Sequence, residues 1–130
     1  MSTLVLDPEP PELRARRGRH HRLDQDRFDE VWLGVYHMRP APGYVHAVTE
    51  SQVVALLQHA GRAAGPTPIG QFNLDKSDDY RVPDAGLLRS APAGAPVFLA
   101  SPALVLEIVS PGDESQHKLP FYAAHGVERC

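Results

Sequence analysis

Asp84, Glu107 and Lys118 are the residues of this chain whose types and spacing could do chemistry. Glu107 lies inside Ala103-Leu104-Val105-Leu106-Glu107-Ile108-Val109, an otherwise apolar run. A carboxylate buried there without a partner is costly. It is expected to be paired, to bind a metal, or to sit where the strand reaches an active-site edge. Asp84 follows Pro83, which has no N–H for a strand ladder. The two carboxylates are 23 residues apart, which suits neighbouring strands joined by one long loop. Converging across adjacent strands, they would make a hard oxygen site suited to Mg²⁺ or Mn²⁺. Lys118 comes 11 residues after Glu107, where it could reach back toward the same strand ends. A plainer reading stays open: an Asp in a turn, and a Glu paired with an arginine or capping a loop.

The elements that must position these residues are legible in outline. From Phe28 to Met38 apolar residues partly alternate, which predicts a strand bent or bulged at Gly34. Thr49 and Gln52 resemble a capping box, and Val53, Leu56, Leu57, Ala60 and Ala64 then recur at helical spacing up to Gly65-Pro66. His59 falls on the polar face of that helix as a solvated residue. Strands are expected over Pro68–Leu74 and, interrupted by Pro83, over Tyr80–Leu88, with a polar turn at Asp75–Asp79. The run Ala103–Val109 reads as a central strand buried on both faces. A last helix within Asp113–His125 ends at Gly126. Pro120 requires it to begin near Lys118 or to have an irregular first turn.

Composition narrows the classes. The chain has 130 residues, a net charge of −3 and 13 prolines. A globally basic nucleic-acid binder is excluded, although a local patch is not. Proline at about twice its average share of roughly 5% argues against long coiled coils and bundles. Cys130 is the single cysteine, so no internal disulfide can form. No apolar run approaches the roughly 20 residues of a membrane span, and no secretory signal opens the chain. A cytoplasmic location is the default expectation. Pro8, Pro10 and Pro11 predict a tail without regular structure, followed by Arg14, Arg16, Arg17, Arg19 and Arg22 with His20 and His21. That run could contact phosphates or be a solvated terminus.

Three linked blocks carry a family resemblance: Asp79-Tyr80-Arg81-Val82-Pro83-Asp84, Leu104-Val105-Leu106-Glu107-Ile108-Val109-Ser110-Pro111-Gly112, and Lys118 through Tyr122 to Gly126-Val127. Together they resemble the Uma-type family of restriction endonucleases within the PD-(D/E)XK superfamily. The resemblance implies an α/β fold, a restriction-endonuclease-like mixed β-sheet flanked by helices. It divides the chain into a flexible Arg/Pro-rich tail over 1–27 and that domain over 28–130. Family members continue past Gly-Val into another hydrophobic strand, so the final family strand is expected to be lacking.

By the same resemblance, Asp84 and Glu107 would ligate Mg²⁺ or Mn²⁺ and Lys118 would be the cationic partner. Phe28-Asp29-Glu30-Val31-Trp32 with Gly34 and Met38 resembles the family's first strands, a Gly-containing hairpin after an acidic residue. Glu30 would be an accessory carboxylate, and His46 would stand where the family begins its first core helix. The superfamily lysine two residues after the acidic strand residue is absent, because Val109 occupies that place. The implied activity is metal-dependent hydrolysis of DNA phosphodiesters, with Arg81, Arg89 and the arginine run as basic contacts. The alternative is an inactive, shortened remnant or interaction module, whose bare strand edge would admit a homodimer.

Overall fold

The computed structural model describes residues 3–22 and 27–130. In chain order the elements are β1 (Leu4–Leu6), α1 (Pro11–Arg22), β2 (Glu30–Trp32), β3 (Val35–Met38), α2 (Tyr44–Ala64), β4 (Thr67–Ile69), β5 (Asn73–Lys76), β6 (Asp79–Arg81), β7 (Ala85–Leu88), β8 (Phe98–Leu99), β9 (Leu104–Leu106) and α3 (Leu119–Ala124). A 3-10 turn, Ser115–Lys118, leads into α3. The class is mixed α/β, as expected, and the described strands divide between two sheets. One has the order β1-β3-β2-β6-β5-β8 and the other β4-β7-β9. Only β5 and β8 pair in parallel in the first sheet; the other pairs are antiparallel.

The chain changes sheets at Val82-Pro83-Asp84, between β6 and β7. Pro83 has no N–H to give a ladder, so the break falls where the sequence cannot continue pairing. All three residues are buried, and their backbone groups find partners beyond the β6 ladder. Val82 N–H donates to Glu30 Oε1 at 2.8 Å, Arg39 Nη1 donates to Val82 O at 3.3 Å, and Asp84 N–H donates to Leu106 O at 3.0 Å. The main core spans the same seam: Phe72 and Leu74 from the first sheet side, Val105 from β9, and Phe121 and Tyr122 from α3.

Several elements depart from the sequence reading. The segment expected as one bent strand is a hairpin, pairing Glu30 with His37 and Trp32 with Val35. Leu33 and Gly34, at φ +49° and +83°, form its two-residue turn, a geometry that matches strand twist. Helix α2 starts at Tyr44, not after Thr49, with Gly43 as its N-cap. The Thr49 hydroxyl donates back to Val45 O at 2.8 Å instead of capping, which Thr does readily inside a helix. Its end at Gly65 is as read, in the left-handed region at φ +101°.

The run expected as a central strand pairs with β7 over three residues, and Val109 is 57% exposed. Its other edge is met at Leu104 by Arg129, through Val105 N–H to Arg129 O and Arg129 N–H to Ala103 O. Regular structure also occurs within residues 3–22, where the prolines predict none. Pro11 is the first residue of α1, where a missing N–H has no cost. Arg17 lies over the Tyr36 ring at 4.7 Å.

Gly86 sets how closely β7 and β9 approach. A Cβ there would meet Leu104 O at 2.7 Å and Phe72 Cε1 at 2.9 Å, whereas one at Gly70 would meet nothing within 4 Å. Gly86→Ala should lose about 1–3 kcal/mol in urea unfolding, the usual range for overpacking. Gly70→Ala should stay within about 0.5 kcal/mol of the parent. Equal midpoints for the two variants would contradict this packing.

Candidate metal centre at the seam

Antiparallel pairing of Ala85 with Leu106 makes Asp84 and Glu107 the next facing positions across β7 and β9. The 23-residue spacing therefore does what it predicts: it brings these two carboxylates to neighbouring strand ends. Asp84 Oδ2 accepts from Ile108 N–H at 2.6 Å, and its Oδ1 lies 3.5 Å from His46 Nε2. His46 and Glu50 stand one turn apart on α2. A nitrogen of His46 and carboxylate oxygens of Glu50 and Asp84 lie within 4.8 Å of one another. This trio could hold a metal ion.

Glu30 and Lys118 also converge here, but differently from the sequence reading. The Lys118 side chain is 1% exposed, with Nζ at 2.6 Å from Glu30 Oε1 and 3.0 Å from Glu107 Oε1. It joins two carboxylates rather than facing solvent. Glu30 is fully buried and committed to protein partners: Lys118, Val82 N–H, Arg39 Nη1 at 3.4 Å, and Trp32 Nε1 at 2.8 Å. Glu107 Oε1 takes a short hydrogen bond from Tyr122 as well as the lysine. Glu107 Oε2 is buried without a hydrogen-bond partner, as is His46 Nδ1. The other basic residues of the sequence reading lie elsewhere. Arg81 is packed over Trp32 and Phe121, and Arg89 bonds Gly126 O and Glu128.

Burial raises the Glu107 carboxyl above its ordinary range, with Asp84 adding to the shift and Lys118 and Tyr122 opposing it. Burial and Asp84 likewise raise Glu50, while His46 opposes. Burial and the Glu107 carboxylate raise the Tyr122 phenol so far that it serves as a donor at any working pH. Burial works against the Arg39 charge, yet Glu30, Glu107 and Asp84 hold its pKa above the ordinary value. Glu30 and Glu107 thus share Lys118, and Glu30 also meets Arg39. A divalent cation would complement the His46, Glu50 and Asp84 donor atoms, and Glu107 Oε2 is a further buried oxygen without a hydrogen bond.

His46 and Glu50 as a pair are what the sequence reading missed. The available signal was the four-residue spacing that places both on one helix face. It became visible only with the true start of α2.

A mixed α/β fold with carboxylates gathered at strand ends defines the restriction-endonuclease-like class. The family described as "Uma2: Putative restriction endonuclease" matches residues 20–130, and the chain belongs to this family. No curated protein and no solved structure matched the chain. Among the described residues, no helix is long and apolar enough to cross a membrane.

Lys118→Met should cost about 3–5 kcal/mol of stability, since it leaves Glu30 and Glu107 buried without their shared cation. A loss under 1 kcal/mol would show the bridge to be weak. The raised carboxyls also fix a pH response. With the folded pKa above the unfolded one, the metal-free native state binds more protons in that window, so stability falls as pH rises. The decline should start near the ordinary Glu value of 4.5 and extend upward. Glu107→Gln should flatten it in a pH series of thermal melts, and an unchanged slope would refute the assignment.

Proposed function

We propose that the protein is a metal-dependent endodeoxyribonuclease that hydrolyses DNA phosphodiesters. The observation that carries this reading is the convergence of His46, Glu50 and Asp84 donor atoms within 4.8 Å of one another. Family membership supplies nuclease chemistry as the context. In this reading Asp84, Glu107, Glu50 and His46 hold the ion. Carboxylate oxygens suit Mg²⁺ and Mn²⁺ alike, and the imidazole favours Mn²⁺ of the two. When bound, the ion supplies Lewis-acid stabilisation of phosphoryl charge and makes water more acidic.

The chain's own residues then have separate tasks. Ile108 N–H fixes Asp84 Oδ2 and leaves Oδ1 toward His46. Lys118 and Tyr122 hold Glu107 by Oε1, so that Oε2 is the oxygen left for ligation or for accepting a proton from water. Lys118 is therefore a positioning residue that holds two carboxylates in place. Glu30 anchors the lysine and the Val82 backbone, and acts from behind the site. DNA as substrate and a cytoplasmic setting are parts of the same proposal.

Purified protein should cut DNA with Mn²⁺ or Mg²⁺ and stop cutting with EDTA. Asp84→Asn, Glu107→Gln and Glu50→Gln should each lower the rate at least about 100-fold while leaving the fold intact by circular dichroism. Glu50→Gln should also melt at or above the parent temperature without metal, because it removes a carboxylate that burial and Asp84 disfavour. A folded parent protein that cuts no DNA with any divalent ion would favour the inactive interaction module instead.

A further inference from the structure

Among the described residues of the cluster, Arg39 is the permanent cation that borders open space. Lys118 is enclosed by Glu30 and Glu107. Arg39 lies between β3 and α2, and its Nη1 is tied to Glu30 Oε1 and Val82 O. Its side chain is 16% exposed and lines a cavity of about 230 Å³. Asp84 and His46 line the same cavity, so it opens directly beside the candidate metal ligands. Phe28, Pro40 and Pro42 are apolar residues of its lining, with Arg27 over the Phe28 ring at 5.8 Å. Asp113 also borders it, but its carboxylate is occupied by Ser110 N–H at 2.6 Å and Ser115 N–H at 3.0 Å.

We propose that this cavity is a one-nucleotide subsite in which Arg39 receives a phosphate and Phe28 with the prolines receives an unstacked base. Its substrate is accordingly a strand with unpaired nucleotides. The inference rests on the nuclease reading and specifies what that site accepts. Arginine suits the task because its planar fork binds phosphate oxygens in pairs, and anchoring Nη1 pre-orients the rest of the guanidinium. The volume is below the roughly 300–1,000 Å³ of ordinary ligand pockets, which admits one nucleotide unit and not a base pair. Bases read in such pockets must first leave the duplex stack, at least cost where they are already unpaired. Sequence-tolerant stacking on an aromatic face is the usual way to hold them. Helix α2 also begins at this cavity with Gly43 as its N-cap and no side-chain cap, an end that favours negative charge.

Fluorescence anisotropy of the full chain tests this, with Ca²⁺ as the added ion so that binding is read apart from cleavage. A labelled oligothymidylate should bind about tenfold or more tightly than the same strand annealed to its complement. Arg39→Lys should weaken single-strand binding about tenfold, the loss of one fork contact. Ala41→Trp, at an exposed position on the cavity wall, should fill the space and remove the single-strand preference while Ca²⁺ binding by calorimetry is unchanged. Thymidine 5′-monophosphate should compete better than inorganic phosphate; equal competition would overturn the base-binding half. Equal affinity for duplex, or no effect of either variant, would overturn the proposal. Metal-dependent cutting of duplex as fast as single strand would do so while leaving the nuclease reading intact. Absence of cutting on both would defeat that reading, and the anisotropy comparison would still decide the subsite.

Discussion

The ammonium of Lys118, shut away from water between Glu30 and Glu107, is the contact on which the rest of the structure depends. It joins the start of the first hairpin, the end of β9 and the turn into the last helix. Each of these charges alone would be severely penalised by burial. Together they hold, because the lysine serves two acids while Trp32, Arg39 and the Val82 amide bond Glu30 and Tyr122 shares Glu107 Oε1. The polar network also solves a backbone problem. Where the chain leaves one sheet for the other, the buried Val82 amide and carbonyl have no ladder partners, and Glu30 and Arg39 provide them.

That arrangement explains why the open chemistry lies on the other side of the cluster. Glu107 is gripped by one oxygen and leaves the second without a hydrogen bond. A site with raised carboxyls and partnerless donors is under tension until a cation arrives, the common relation between function and stability. The lysine expected to face the substrate supplies internal neutrality. The open cationic position beside the cavity belongs to Arg39.

Much of this was legible residue by residue. Glu107 stood out because a carboxylate in an apolar run requires an explanation, and Asp84 because Pro83 had to end a strand. Their facing positions follow from antiparallel pairing of the two segments. The end of α2 was legible because glycine at positive φ followed by proline leaves few alternatives. Its start was not. Thr49 and Gln52 form a credible capping box, and local pattern cannot reveal that the threonine hydroxyl turns back on Val45. Local pattern alone therefore leaves His46 outside the helix, whereas the family resemblance places it at the helix start, where it is. Residue pattern alone reads Leu33-Gly34 as a bend, since a leucine at positive φ is a rare choice for a turn, while the family resemblance implies the Gly-containing hairpin that forms.

By itself, then, the amino-acid sequence determined the α/β class, the family, and two carboxylates at adjoining strand ends, all consequences of local spacing and chain order. Only the tertiary structure decided which way the charges face. The burial of Lys118, the freedom of Glu107 Oε2, the approach of His46 and Glu50 to Asp84, and the opening beside Arg39 depend on segments up to 88 residues apart (Glu30 to Lys118). The physical reason is that a charge's role depends on its access to water and on which partners reach it first, and the meeting of the two sheets fixes both.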